Sequence, residues 1–192
     1  MSSADEVLAT VRRITAACEA VGLTWAVGGS FASAVYGEPR ATNDVDVIAR
    51  LRLVDVRRFV AALGHDVYVD EDMIREAIAQ QRSFNVIDEI TYVKIDVFVP
   101  PPGPLGEGQL VRRRRFSVTD DLQTWVLGPE DILLQKLRWY RLGEEQSDRQ
   151  WRDIGSILRG TKNELDWGYL RSTATASGLA DLLGRAEHEQ LG

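Results

Sequence analysis

Two short stretches decide the fold: WAVGGS at residues 25–30 and DVDV at residues 44–47. The apolar segment at residues 24–27 predicts a strand that runs into two glycines and then into a helix over residues 31–36. Gly37 is typical of a helix end. The second stretch alternates acidic and β-branched residues, which predicts a strand over residues 44–48. The sequence therefore predicts a strand–turn–helix unit that is followed closely by a strand with charge on one face.

The turn Gly28-Gly29-Ser30 has two interpretations. A strand that ends in glycines and opens a helix leaves backbone N–H groups directed at one point, with the helix dipole behind them. A phosphate group would fit there, and the Ser30 hydroxyl would add a donor. Alternatively, the glycines relieve backbone strain in an ordinary turn between a strand and a helix. The turn alone does not distinguish the two.

Asp44 and Asp46 lie two residues apart on the second strand. Residues at this spacing point to the same face, with Cα atoms about 6.6 Å apart. Neighbouring carboxylates repel one another unless a cation joins them, and Mg²⁺ typically takes one or two carboxylates together with substrate phosphates. The pair therefore predicts either a magnesium site or a solvent-facing strand edge with two acids for solubility.

Asp96 repeats this pattern in the stretch KIDV at residues 94–97. An aspartate in such an apolar strand is costly to bury without a partner. If this strand lies beside the strand of Asp44 and Asp46, three carboxylates converge, as is needed to hold two cations about 4 Å apart for phosphoryl displacement. The alternative is that Asp96 pairs with Lys94 or with a neighbouring arginine.

The first part of the chain, residues 1–127, predicts a mixed α/β core. Helices are expected before Gly22 and over two further segments, and two more strands follow them. A proline- and glycine-rich stretch is typical of a stiff connector, and a basic strand and an edge-like strand piece come after it. The segments are helices at 53–63 and 71–81, strands at 84–87 and 92–99, the connector at 100–108, the basic strand at 111–118, and the edge-like piece around 125–127.

The second part, residues 128–192, predicts a helical subdomain. Pro129 with the two acids after it is a good helix start, and Ser147 starts another helix. Two further helices are expected over residues 163–177 and 179–190. The fold class is therefore α+β: a mixed sheet with flanking helices, followed by a mainly helical part.

Composition excludes several classes of protein. The 192 residues contain 23 Lys and Arg against 29 Asp and Glu, a net charge of −6. This balance argues against bulk binding to DNA. The single cysteine forms no internal disulfide and fits a reducing compartment. No apolar run approaches the roughly 18 residues of a membrane span, and the first residues lack the features of a signal peptide. We expect a cytoplasmic protein that does not associate with membranes.

Three matches in order make the resemblance specific: WAVGGS, then DVDV, then KIDV. Together they resemble the nucleotidyltransferase superfamily that includes DNA polymerase beta. The segment from Gly28 to Asp46 is most similar to the small bacterial members, the AbiEii-like toxins and the antibiotic nucleotidyltransferases. The resemblance implies that Asp44 and Asp46 bind Mg²⁺ and the triphosphate. It also implies that Asp96 is the third metal ligand and the base for the acceptor hydroxyl.

A second group of residues matches AbiEii-like members only in part. Those members carry a Glu-Lys pair and an Arg-X-Lys-Asp segment, where this chain has Gln135-Lys136 and RQWRD at residues 149–153. Lys136 has apolar neighbours on both sides of its helix, so it either extends its amine to solvent or meets an anion such as a nucleotide phosphate. For Asp153, an ordinary ion pair with Arg149 one turn earlier is the simpler interpretation.

Two other basic features have open interpretations. Arg40 either contacts nucleotide phosphates, as the resemblance suggests, or pairs with Glu38 or with an acid of the cluster. The run Arg112 to Arg115 is more typical of a solvated strand edge than of a patch that contacts RNA or phosphate, because its side chains alternate between faces.

The resulting prediction is an enzyme that moves a nucleoside monophosphate from an NTP to an acceptor hydroxyl and releases pyrophosphate. Catalysis and metal binding fall to Asp44, Asp46 and Asp96. The nucleotide is expected at Gly28, Gly29, Ser30, Arg40 and Lys136. A small molecule, a tRNA 3′ end or a protein would be the acceptor, and the toxin resemblance adds a possible antitoxin partner. The alternative is a non-catalytic nucleotide sensor or partner protein on the same fold.

Overall fold

The computed structural model describes residues 3–39 and 41–192. Helices and strands alternate up to residue 126, and helices alone follow. The helices are α1 Ser3–Val21, α2 Gly29–Tyr36, α3 Val56–Leu63, α4 Glu71–Gln80, α5 Pro104–Val111, α6 Pro129–Leu142, α7 Asp148–Thr161, α8 Trp167–Ala176 and α9 Ala180–Leu191. The strands are β1 Thr24–Val27, β2 Asp44–Arg50, β3 Val67–Tyr68, β4 Ser83–Asp88, β5 Lys94–Phe98, β6 Arg114–Thr119 and β7 Leu122–Val126.

The strands form one mixed sheet in the order β3-β4-β5-β2-β1-β7-β6. β2 pairs in parallel with β5, and β1 pairs in parallel with β7. The remaining neighbours are antiparallel. The predicted mixed sheet with flanking helices is confirmed, and the strand of Asp96 lies beside the strand of Asp44 and Asp46.

Two apolar cores lie on opposite faces of this sheet. Alternate residues of β2, among them Val45 and Val47, face a core shared with α1, α3 and α4. Ile48 faces the second core, which is built mainly from α6 to α9. Asp44 and Asp46 share the face of Ile48, because residues two apart on a strand point the same way. The two carboxylates therefore lie between the sheet and the helical half of the protein.

The prediction of a stiff connector over residues 100–108 was wrong in its second half, where α5 begins at Pro104. Proline is tolerated in a first helical turn, where its missing N–H has no partner to lose. Gly106 lies inside this helix. The position requires glycine, because a Cβ there would stand 1.8 Å from the backbone oxygen of Pro101. A glycine that signals a break in the sequence here permits a close approach between chain segments.

The edge-like interpretation of residues 125–127 was also wrong. β7 lies between β1 and β6, so it is internal, and β6 with Arg114 and Arg115 forms the edge of the sheet. The edge strand starts at Arg114 rather than at Val111, since α5 takes the preceding residues. Local sequence could not separate the two strands, because order in a sheet depends on long-range pairing.

The N-terminal turn of α6 carries two buried acids, Glu130 and Asp131. Asp131 accepts a hydrogen bond of 2.7 Å from the Tyr169 hydroxyl, and the Arg112 guanidinium lies 3.8 Å away. Burial nevertheless raises the pKa of Asp131 to about 6. The charged form of Asp131 is therefore disfavoured in the folded protein.

We expect Asp131→Asn to flatten the pH dependence of stability between pH 4 and pH 7. A carboxyl whose pKa is raised on folding contributes stability fully below its unfolded pKa, and this contribution is lost as pH rises through the folded value. The loss is of the order of 3 kcal/mol, because the pKa rises from 3.8 to about 6 and each pKa unit corresponds to about 1.4 kcal/mol. Urea unfolding of both proteins at several pH values measures it. Parallel stability curves would contradict this account of Asp131.

Candidate active site

A cavity of about 760 Å³ lies between the sheet and helices α5, α6 and α7. One end is lined by the turn before α2 and by the first residues of β2. The lining residues at this end are Gly29, Ser30, Asp44 and Asp46. The cavity thus collects, from the predicted site, the glycine turn and the two-aspartate strand.

The turn before α2 is built around Asp46. The Gly28 N–H donates to the Asp46 backbone oxygen at 2.8 Å, and the Ser30 N–H hydrogen-bonds the Asp46 carboxylate. Gly29 has a φ of +54°, and a Cβ there would stand 1.6 Å from Asp46 Oδ2. Only glycine permits both this conformation and this approach. The local turn therefore brings the N-terminus of α2 against the carboxylate.

The carboxylate of Asp46 is under electrostatic strain. Partial burial raises its pKa to about 6, and the charges of Asp44 and Asp96 add to the effect, while Lys136 and the Ser30 N–H oppose it. The Asp44 carboxylate has a side-chain partner, since its Oδ1 accepts a hydrogen bond of 2.7 Å from the Thr42 hydroxyl. A cation at the cavity wall would relieve the repulsion between these carboxylates.

Asp96 lies next to Asp46, since the two residues are directly paired in the parallel β2–β5 ladder. Its Oδ2 also forms an ion pair with Lys94 Nζ at 2.7 Å. Asp96 therefore lies beside the two-aspartate strand, as the first interpretation of the sequence expected, and pairs with Lys94, as the alternative expected. Asp96 is not among the described residues that line the cavity. Within residues 3–39 and 41–192, no three His, Cys, Asp or Glu side chains are grouped as a metal site.

Lys136 points from α6 to Asp153 of α7, with Nζ 2.7 Å from Oδ2 in a buried ion pair. The sequence interpretation paired Asp153 with Arg149. In the structure Asp153 pairs with Lys136 instead, because α7 packs on α6 and Asp153 faces the interface between the two helices. Lys136 also lines the cavity, and its charge acts on Asp46. The neighbouring Gln135 is held by an amide hydrogen bond to Gln109 of α5 at 2.7 Å.

The other basic residues are spread over the molecule. Arg40 lies outside the described residues. In the run at residues 112–115, Arg112 stacks on the Tyr169 ring at 3.8 Å and Arg113 on the Trp125 ring at 4.4 Å. Arg115 pairs with Glu19 at 3.1 Å on the sheet edge. None of the four is among the described residues that line the cavity.

The sequence interpretation missed the far wall of the cavity. Phe98 of β5 and Trp139 of α6 meet edge to face with ring centroids 6.2 Å apart, and Leu142 extends the same wall. Trp139 and Leu142 are both largely exposed, and they lie three residues apart on α6. Two large apolar side chains at helical spacing beyond the core-facing residues were the available signal.

Comparison with known proteins bears on the fold. No protein-family model matches the sequence, and no curated protein matches it. The solution structure of the antibiotic-resistance factor ANT(2'')-Ia is similar with a TM-score of 0.56 at 16% identity, over 98% of this chain and 100% of that chain. An antigenic nucleotidyltransferase-like protein from Paracoccidioides brasiliensis is similar with a TM-score of 0.56 at 15% identity, over 95% of this chain and 92% of that one. The chain therefore has the fold of the nucleotidyltransferases.

Proposed function

We propose that this protein is a Mg²⁺-dependent nucleotidyltransferase. The acceptor hydroxyl oxygen attacks the α-phosphorus of an NTP, the bond from that phosphorus to the bridging oxygen breaks, and pyrophosphate leaves with the electron pair. One observation carries the proposal: the glycine turn of a nucleotidyltransferase fold packs against the strained Asp46 carboxylate at the wall of a 760 Å³ cavity.

Asp44 and Asp46 fit Mg²⁺ by the chemistry of their donor atoms. Both are carboxylates at the cavity wall, and burial raises the pKa of Asp46, to which the repulsion by Asp44 and Asp96, which a cation would offset, adds. Mg²⁺ is commonly held by one or two carboxylates plus substrate phosphates. When bound, the ion would neutralise charge on the triphosphate and the leaving pyrophosphate.

The other residues bind substrate or move a proton. The Gly29 N–H begins α2 and favours a phosphate oxygen, because the positive end of the helix dipole lies there, whereas the Ser30 N–H hydrogen-bonds the Asp46 carboxylate. Lys136 adds positive charge to the same end of the cavity, and Arg40 precedes the two-aspartate strand. Asp96 takes the proton of the acceptor hydroxyl, which requires its carboxylate to exchange the contact with Lys94.

The sequence resemblance supports an AbiEii-like toxin role with an antitoxin partner, and the single cysteine supports a reducing compartment such as the cytoplasm. None of the helices that the model describes is long and apolar enough to cross a membrane. The acceptor would be a small molecule, a tRNA 3′ end or a protein.

A nucleotide sensor without catalysis is the second candidate. It is favoured by the ion pair between Asp96 and Lys94, which occupies the proposed base, and by Gln135, which stands where the resembling toxins have an acid. A sensor needs the turn and the two cavity carboxylates but has no use for a free third carboxylate.

We expect MgNTP to bind and to be turned over, and Asp44→Ala to lose both properties. The test incubates the protein with each labelled NTP, with and without Mg²⁺, and measures the thermal shift and pyrophosphate release with a panel of hydroxyl acceptors. Asp120→Asn, an exposed acid in the β6–β7 turn, is the matched control. Stabilisation without turnover on any acceptor would favour the sensor. Turnover that survives in Asp44→Ala would overturn the site.

A further inference from the structure

The side chains that line the cavity change from charged to apolar along β2. At the first end lie the carboxylates of Asp44 and Asp46. One strand step further, about 6.6 Å along β2, the same face carries Ile48, which is paired with Phe98 of β5. Trp139 covers this apolar zone from α6, about 4.5 Å beyond Lys136 along the helix axis. A substrate that lies along the cavity thus meets charge first and an apolar wall next.

Three arginines also line this cavity. Arg82 directly precedes Ser83, which is paired with Phe98, and its backbone oxygen accepts from the Val99 N–H at 3.0 Å. Arg138 is next to Trp139 on α6. Arg149 begins the stretch of α7 that packs back on α6, one turn before the residue that pairs with Lys136. All three are exposed, and no carboxylate of the described residues forms an ion pair with them.

The charges do not match the nucleotide alone. The negative charge of an NTP is confined to its triphosphate, for which the proposed site offers Mg²⁺ at Asp44 and Asp46 and the N-terminus of α2. The base and ribose are neutral and need no guanidinium groups. Asp44 and Asp46 are the carboxylates among the described lining residues, and Arg82 lies past the Ile48–Phe98 pair from them, at the level of Val99. An acceptor with several ammonium groups would meet only positive charge at the arginines.

We propose that the acceptor is a small ring-bearing alcohol with a carboxylate or phosphate, held by Arg82, Arg138 and Arg149 with its ring on the Phe98–Trp139 wall. This rests on the proposed nucleotidyl transfer and deepens it. Each arginine offers a planar pair of N–H donors suited to an oxyanion. The cavity volume is within the range of small-molecule sites. Polycationic aminosugars are thereby excluded as acceptors.

The test uses three probes that share one ring and one hydroxyl and differ in the para group: 4-(hydroxymethyl)benzoate, 1,4-benzenedimethanol and 4-(hydroxymethyl)benzylamine. We expect affinity to fall in that order, measured by calorimetry without nucleotide and with MgATP. Exposed ion pairs contribute modestly, so we expect about a tenfold difference between benzoate and benzylamine. Equal affinities, or a preference for the amine, would overturn the proposal.

The triple variant Arg82→Gln/Arg138→Gln/Arg149→Gln should lose the preference for benzoate and keep its affinity for MgATP. The matched control, Arg50→Gln/Arg57→Gln/Arg58→Gln, removes the same charge from exposed arginines outside the cavity and should keep both properties. A triple variant that loses MgATP and benzoate equally would assign the arginines to the nucleotide and overturn the proposal. Tighter, arginine-dependent binding of a short single-stranded RNA ending in CCA would also overturn it.

The failure of this proposal is distinguishable from the failure of nucleotidyl transfer. Benzoate binding that depends on the three arginines, in a protein that binds no MgNTP, supports the anion site and removes the proposed function. MgATP turnover with no preference among the three probes supports the function and removes the anion site.

Discussion

Asp46→Asn is expected to abolish nucleotidyl transfer and at the same time to stabilise the metal-free protein. Asp46 holds its charge against burial and against the repulsion of Asp44 and Asp96, which together raise its pKa to about 6. Removing that charge relieves the folded state at pH 7.5, whereas the Ser30 N–H can still donate to the asparagine oxygen. The same change removes a proposed Mg²⁺ ligand. Metal-assisted charge stabilisation is worth several kcal/mol, so we expect a loss of about a thousandfold in kcat.

The measurement pairs kcat with the free energy of unfolding from urea titration. The gain in stability should be present at pH 7.5 and absent near pH 3, because below its unfolded pKa the Asp46 carboxyl is protonated in both the folded and the unfolded wild type. Mg²⁺ should raise the Tm of the wild type and not that of Asp46→Asn. Asp120→Asn should change neither activity nor stability. A variant that loses activity and stability together would make Asp46 a structural residue.

Asp153→Ala is expected to cost about 3–5 kcal/mol of unfolding free energy, because it removes the carboxylate that pairs with the buried Lys136 at 2.7 Å. The exposed pair of Arg141 and Asp181 has the same N–O distance of 2.7 Å, with side chains 38% and 70% exposed. Asp181→Ala is therefore the matched control and should cost less than about 1 kcal/mol. Urea unfolding at pH 7 compares the two variants.

Replacing both buried partners by apolar residues, Lys136→Met with Asp153→Leu, should recover most of the stability lost in Asp153→Ala. If Lys136 also serves the triphosphate, this double variant stays deficient in MgNTP binding after stability has been restored. Equal costs for Asp153→Ala and Asp181→Ala would contradict the assignment of a desolvated ion pair.

Much of the fold follows from local patterns. The alternation of Asp44, Val45, Asp46 and Val47 carries the period of a strand, and it places the carboxylates and the valines on opposite faces as found. The glycines of the first turn were found from sequence, because a strand that opens a helix needs such a turn. By contrast, α5 and the internal position of β7 were missed. Prolines and glycines in a local stretch predict a break in secondary structure. Local sequence does not predict which strands pair with one another.

The sequence by itself determined the glycine turn, the two-aspartate strand and the existence of a third carboxylate on a later strand, since each depends on neighbours a few residues away. Only the tertiary structure decided that Asp96 lies beside Asp46, that Asp153 pairs with Lys136 rather than with Arg149, and that three arginines line the cavity. These facts depend on strand order and on helix packing. Both are set by the burial of apolar faces across the whole chain, where residues far apart in sequence become neighbours.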